Sequence, residues 1–205
     1  MILLLLGCAP CLLEREGLGV CGLDTAVTET GDSAVDTGPP PVRVSATDLG
    51  GGVFEGVIDA TEYQIWTYLS LSQAAEVHPE EPTNSTAWDL GFERYLIMSN
   101  GGVSGTGGVE AVALDGQDFD SLSAAPTEGY VQDLPDDDDE NENPEYALGD
   151  WFAYTTDDHT LMPLDRVYVL RGVDGIYYKL KIEDYYDDAG TPAILTMRWA
   201  AIAGP

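Results

Sequence analysis

Only two histidines, His78 and His159, occur in the 205 residues, and they frame the question of chemistry. His159 stands in the polar run Asp157-Asp158-His159-Thr160, with Met162 three residues further on. A neutral imidazole and a thioether can each ligate iron or copper. The same spacing also suits an exposed loop histidine with no chemical role. His78 lies in His78-Pro79-Glu80-Glu81-Pro82, where two prolines keep the chain out of regular structure, so an exposed connector is the plainer reading. Six carboxylates crowd the segment from Pro135 to Pro144. Such oxygens suit Ca²⁺, but the EF-hand spacing with its central glycine is missing, and a charge run of this kind reads as a solvated loop.

Catalytic groups are sparsely supplied. No cysteine occurs beyond Cys21. Val103-Ser104-Gly105 is not a nucleophile elbow, because Thr106 stands where the last glycine of Gly-x-Ser-x-Gly belongs. The glycine-rich run from Asn100 to Gly108 lacks the Gly-Lys-Ser/Thr ending of a phosphate loop. A carboxylate pair of the glycosidase kind needs two acids at a set separation, and abundance is not pairing. The expectation is a protein that is not an enzyme.

What must position these residues is a β scaffold. Short runs rich in aromatic and β-branched residues recur at Phe54 to Ile58, Glu62 to Leu71, Val109 to Leu114 and Trp151 to Tyr154. Ser70 to Val77 reads as a brief helix or a continuation of the strand before it. Trp88 to Tyr95 reads as a core strand that runs into a loop with five glycines between Asn100 and Gly108. Val167 to Arg171 and Ile176 to Ile182 flank Gly172-Val173-Asp174-Gly175, and Asp-Gly between two such runs signals a hairpin. In the second arm Tyr178, Leu180 and Ile182 fall on one face, with Lys179 and Lys181 on the other. Ile194 to Ile202 closes the chain as a strand. No amphipathic helix is visible, so the fold class is mainly β: a single antiparallel β-rich domain over residues 53–205.

Thirty-seven acids against eight bases give a net charge of −29. A field of that sign repels nucleic acid and anionic membrane surfaces, which excludes polyanion binding. Met1-Ile2-Leu3-Leu4-Leu5-Leu6-Gly7-Cys8 is an apolar run ending in a lipobox-like Leu5-Leu6-Gly7-Cys8, so residues 1–22 read as a lipoprotein signal region with lipidation at Cys8. The basic n-region of a signal peptide is missing, which leaves two readings: a start lying elsewhere, or an apolar segment that is no signal. The run is too short to span a bilayer, and whether Cys11 and Cys21 pair stays open. Residues 23–52, acidic and Thr-rich with Pro39-Pro40-Pro41 near their end, read as a flexible linker that holds the domain off a membrane.

Several motifs in succession resemble a known family. They are Trp88-Asp89-Leu90-Gly91-Phe92, Asn100-Gly101-Gly102-Val103-Ser104-Gly105, His159-Thr160-Leu161-Met162-Pro163, Val167-Tyr168-Val169-Leu170-Arg171, Tyr177-Tyr178-Lys179-Leu180-Lys181-Ile182 and Thr196-Met197-Arg198-Trp199-Ala200. Together, across Val44 to Ala203, they are similar to the HmuY family of bacterial haem-binding surface lipoproteins. The resemblance implies a mostly antiparallel β fold, haem held between two axial histidine or methionine side chains, and delivery to an outer-membrane haem receptor in iron acquisition. On this chain it implies His159, Met162, Met98 and His78 as axial candidates, His159 first. Arg94, Arg166 and Arg171 become candidate partners of the haem propionates. It also implies lipid anchoring at the outer membrane or cell surface, with membrane contact only through the anchor. The competing expectation keeps the fold and location but gives the domain a structural, interaction or other ligand-binding role without haem.

Overall fold

The computed structural model describes residues 41–136 and 143–205. These form twelve strands with almost no helix, and every strand pairing is antiparallel. The strands are β1 (Val44–Gly50), β2 (Val53–Asp59), β3 (Thr67–Ser70), β4 (Ala75–Val77), β5 (Leu90–Glu93), β6 (Leu96–Ser99), β7 (Glu110–Asp115), β8 (Phe152–Thr155), β9 (Thr160–Pro163), β10 (Arg166–Arg171), β11 (Tyr177–Tyr186) and β12 (Pro192–Ile202). They build a six-stranded sheet in the order β1-β2-β12-β11-β10-β7, a four-stranded sheet β4-β3-β5-β6, and the separate ribbon β8-β9.

Alternation explains the long strands. Leu195, Met197 and Trp199 of β12 and Tyr178, Leu180 and Ile182 of β11 are buried in one core, as period-2 patterning dictates. Trp88, Trp151 and Trp199 are fully buried, and each indole N–H finds a carbonyl: Pro82, Tyr95 and Leu71 respectively. That satisfies the one polar atom such a ring carries into a core. Trp199 lies over Gly56, where a Cβ would sit 2.7 Å from its ring.

Asp89 fastens the two larger sheets. Its carboxylate is buried, and its oxygens accept the N–H of Leu71 beyond β3 and of Val173 in the β10–β11 turn. Asp133 does the same for the loops, accepting from Ser99 N and Oγ and from Ala147 N.

Three expectations change. The boundary at residue 53 cuts through a hairpin: β1 lies in the stretch read as linker and pairs with β2 along its length. Its Val44 is buried while Thr47 to Gly50 are exposed, so a short edge strand resembled a polar tether. The strand expected over Glu62 to Leu71 shrinks to Thr67–Ser70, with Tyr63 and Ile65 exposed in a loop before it. The strand expected over Trp88 to Tyr95 ends at Glu93: the chain turns at Arg94, which holds a left-handed φ of 53°, and Leu96–Ser99 pairs back on it as a hairpin before the glycine loop. Lys179, on the face opposite Tyr178, is buried as well, because residues 119–122 cover that face of the sheet; its ammonium donates to the Phe119 and Leu122 carbonyls and lies over the Phe119 ring. The signal region, Cys8, Cys11, Cys21 and the linker up to residue 40 lie outside the described residues, as do residues 137–142 of the acidic run.

Candidate functional site

His159 occupies the tip of the β8–β9 ribbon. Two short β runs, Phe152–Thr155 and Thr160–Pro163, close around Thr156-Asp157-Asp158-His159. One carboxylate braces the turn: Asp158 accepts from the hydroxyls of Thr155 and Thr160 and from Thr160 N. Those bonds, the Thr155 hydroxyl foremost, hold the Asp158 carboxyl below the usual carboxylate range. His159 itself sits at φ 58°, a left-handed conformation in which histidine is over-represented among side-chain-bearing residues. Its ring lies against Tyr154, with the phenol oxygen 2.5 Å from Nδ1. The side chain is exposed.

The ribbon is seated on aromatic rings. Trp151 contacts Phe152 and Tyr185, Phe152 meets Tyr95 edge-on, and Tyr185 meets Tyr186. The Tyr186 hydroxyl accepts the Leu161 N–H, tying β9 to β11. Tyr154 pairs across the ribbon with Leu161 and shares its face with Phe152. Met162 pairs with Ala153 on the opposite face and is exposed.

The other expected ligands stand elsewhere. Met98 of β6 is buried over Gly91, where its thioether chain and Trp66 fill the space a Cβ would take. His78 follows β4, exposed, 3.7 Å from Glu76. Val77, Tyr68, Gly91 and Met98 form one row across the four-stranded sheet, so His78 and Met98 lie at opposite edges. Three strand spacings put them roughly 14 Å apart. Two donors on one iron, each at a metal–nitrogen distance of about 2 Å, cannot be that pair. Nor can His159 and Met162 meet on one iron from opposite faces of the same ribbon. Of the four candidates, His159 is the one presented on an open aromatic face.

Among the arginines, Arg166 is spent on Asp115, the Asp150 carbonyl and the Tyr168 ring. Arg171 faces Glu110 at 3.8 Å. Arg94 donates to the Thr61 carbonyl and sits near enough to Tyr185 for its charge to act on that phenol. Among the described residues Arg94 and Lys179 are the cations without a carboxylate partner, and Lys179 is committed to carbonyls. One bond leaves most of the five Arg94 donors available.

No group of three or more His, Cys, Asp or Glu among the described residues is arranged to hold a metal ion. Both buried acids are occupied by backbone N–H groups rather than by each other. The glycine-rich loop is built for close approach: a Cβ on Gly101 or Gly102 would sit within 2 Å of the Val109 or Asp133 carbonyl. At its head, buried Asn100 bonds Ser85, Trp88 and Gly107. Residue type alone does not single out Tyr154, Tyr186 or Asp158. The signal was present, since two β-like runs around a four-residue Thr-Asp-Asp-His turn place residue 154 beside residue 159.

These features define an antiparallel β protein that presents one of its two histidines on an aromatic-seated ribbon. The chain belongs to the HmuY family: residues 62–199 match the family described as HmuY protein. Solved structures share the fold. An apo HmuY analog of Tannerella forsythia aligns at TM-score 0.60 and 17% identity, covering 78% of this chain and 98% of that one. A Bacteroides vulgatus protein described as HmuY-like and heme-binding aligns at TM-score 0.57 and 20% identity, covering 78% and 97%. A candidate lipoprotein of Bacteroides fragilis gives TM-score 0.57 and 20% identity over 78% and 96%. No curated protein matches the chain.

Proposed function

We propose that this chain is a non-catalytic haem-binding lipoprotein of the cell surface, acting in haem and iron acquisition, with His159 as the axial nitrogen. Membership of the HmuY family and the fold shared with a protein described as heme-binding support the ligand class. The observation that carries the site is the Tyr154–His159 pair: with Nδ1 engaged, Nε2 is the nitrogen free to coordinate. Haem, when bound, would supply an iron that takes an imidazole nitrogen. The exposed rings of Tyr154 and Tyr95 would offer apolar surface to a porphyrin, and Arg94, which has no carboxylate partner, would answer a propionate. Anchoring through Cys8 and transfer to an outer-membrane receptor complete this reading. Titration of the full chain with haemin tests it: a saturable Soret shift, weakened at least tenfold by His159→Ala, is expected. Saturable binding that His159→Ala leaves unchanged would remove His159, and featureless weak absorbance would remove haem.

The scatter of Met98, Met162 and His78 favours a second reading, in which the same anchored β domain serves as an interaction or other ligand-binding module without haem. The featureless titration is its signature.

A further inference from the structure

We propose that Tyr154 is a positioning residue for His159, an acceptor for the Nδ1 proton that leaves Nε2 directed outward, with the Asp158 turn as its mount. The inference takes the metal's identity from the haem reading above, whereas the geometry stands independently of it. A metal on Nε2 obliges Nδ1 to keep its proton, and that proton needs an acceptor for the ring to stay in one orientation. The Tyr154 oxygen is in place at 2.5 Å, and the two rings are packed at 6.0 Å between centroids. Asp158, the acid adjacent to His159 in the chain, is already taken up by Thr155 and Thr160.

Tyr154 is itself fixed. Its backbone is in register with Leu161, whose N–H is held by the Tyr186 hydroxyl, and Phe152 two residues before it is packed against Trp151 and Tyr95. The ribbon therefore gives the imidazole a defined direction even though its tip is exposed. A histidine meant only for solvent needs neither the ring contact nor a braced left-handed backbone.

Tyr154→Phe keeps the ring and removes the oxygen, and at an exposed position the fold should tolerate it, which circular dichroism checks. In the full chain without haem, nitrogen-15 NMR of the imidazole should show the His159 Nδ1 signal displaced by its hydrogen bond and returning towards free-imidazole values in Tyr154→Phe. No movement overturns the proposal whether or not haem binds. With haemin, Tyr154→Phe should weaken binding tenfold or more, and the iron–histidine stretch of the reduced complex should move to lower frequency. An unchanged affinity and stretch in a protein whose binding depends on His159 overturn it as well. Thr155→Val, which loosens the Asp158 brace but leaves the phenol, should give a smaller loss of the same kind. An Nδ1 signal that responds to Tyr154→Phe in a protein that takes no haemin supports the pair and rejects the haem reading alone.

Discussion

Replacing Asp89 with alanine should unfasten the two larger sheets from each other. The carboxylate is 1% exposed and accepts two backbone N–H groups, Leu71 at 2.8 Å and Val173 at 2.9 Å. Hydrogen bonds to a charged acceptor are worth about 1.5–3 kcal/mol each, so the gross loss is about 3–6 kcal/mol. Removing a buried charge returns part of this, leaving a net loss of about 3 kcal/mol. With a urea dependence of about 2 kcal/mol/M, the unfolding midpoint should fall by roughly 1.5 M. Asparagine keeps one acceptor oxygen and should lose about half as much. The pH dependence carries a distinct sign. Burial pushes the Asp89 carboxyl above its ordinary value, against the pull of the two backbone bonds, and nearby Asp174 adds to the rise. The folded state then holds the proton to higher pH than the unfolded state does. This contribution to stability is fully present below the unfolded carboxylate value of about 3.9 and is lost as pH rises through the raised folded value. Asp89→Asn should remove that part of the slope. Urea melts across pH, with hydrogen exchange at the Leu71 and Val173 amides, make the assay. A loss below about 1 kcal/mol in Asp89→Ala, with both amides still protected, would refute the reasoning.

Asp133 should behave alike: its carboxyl is also raised by burial, so Asp133→Asn should flatten the stability–pH curve in the same direction, read by the same melts. Gly102→Ala should cost more than about 3 kcal/mol or prevent soluble expression, because φ is +59° and the new Cβ would meet the Asp133 carbonyl at 1.8 Å; calorimetry or soluble yield decides it. Labelling with radioactive palmitate in a host that processes lipoproteins should be lost in Cys8→Ser, and incorporation that ignores the change would refute the anchor.

Much of the β content could be read from the residues because alternation is local. Tyr178, Leu180 and Ile182 share a face in β11 for the reason their spacing suggests, and Asp174-Gly175 turns the hairpin with Gly175 at φ +77°. What escaped depended on contacts distant in sequence. Lys179 alternates like a solvent residue, and only a loop some 60 residues earlier decides that it is buried. β1 has the composition of a linker, and only its partner β2 makes it a strand. Tyr63 and Ile65 have strand chemistry but no neighbour to pair with, and they stay exposed. The same division holds at the site. His159 was visible by residue type, whereas the relation of Met162 to it was not: three residues of spacing cannot show that the pleat turns Met162 away from the Tyr154 face, against which the His159 ring lies.

The placement of His159 also separates ligand chemistry from folding. The core is closed by Trp88, Trp151, Trp199 and the Asp89 staple, and the β8–β9 tip contributes the seating of its aromatic face but not its histidine. A surface substitution usually changes stability by no more than about 0.5 kcal/mol, and the left-handed φ of 58° at residue 159, which histidine adopts more readily than alanine, raises this to about 1 kcal/mol for His159→Ala. Residue 159 is therefore free to change without loss of the fold, and so are the exposed Met162 and His78, while Gly91, Gly101 and Asp89 are not. A shared fold at 17–20% identity and a shared ligand are for that reason separate claims in this family. The haemin titration of His159→Ala addresses the second directly, since the variant should stay folded, with its urea midpoint within roughly 0.5 M of that of the unaltered protein.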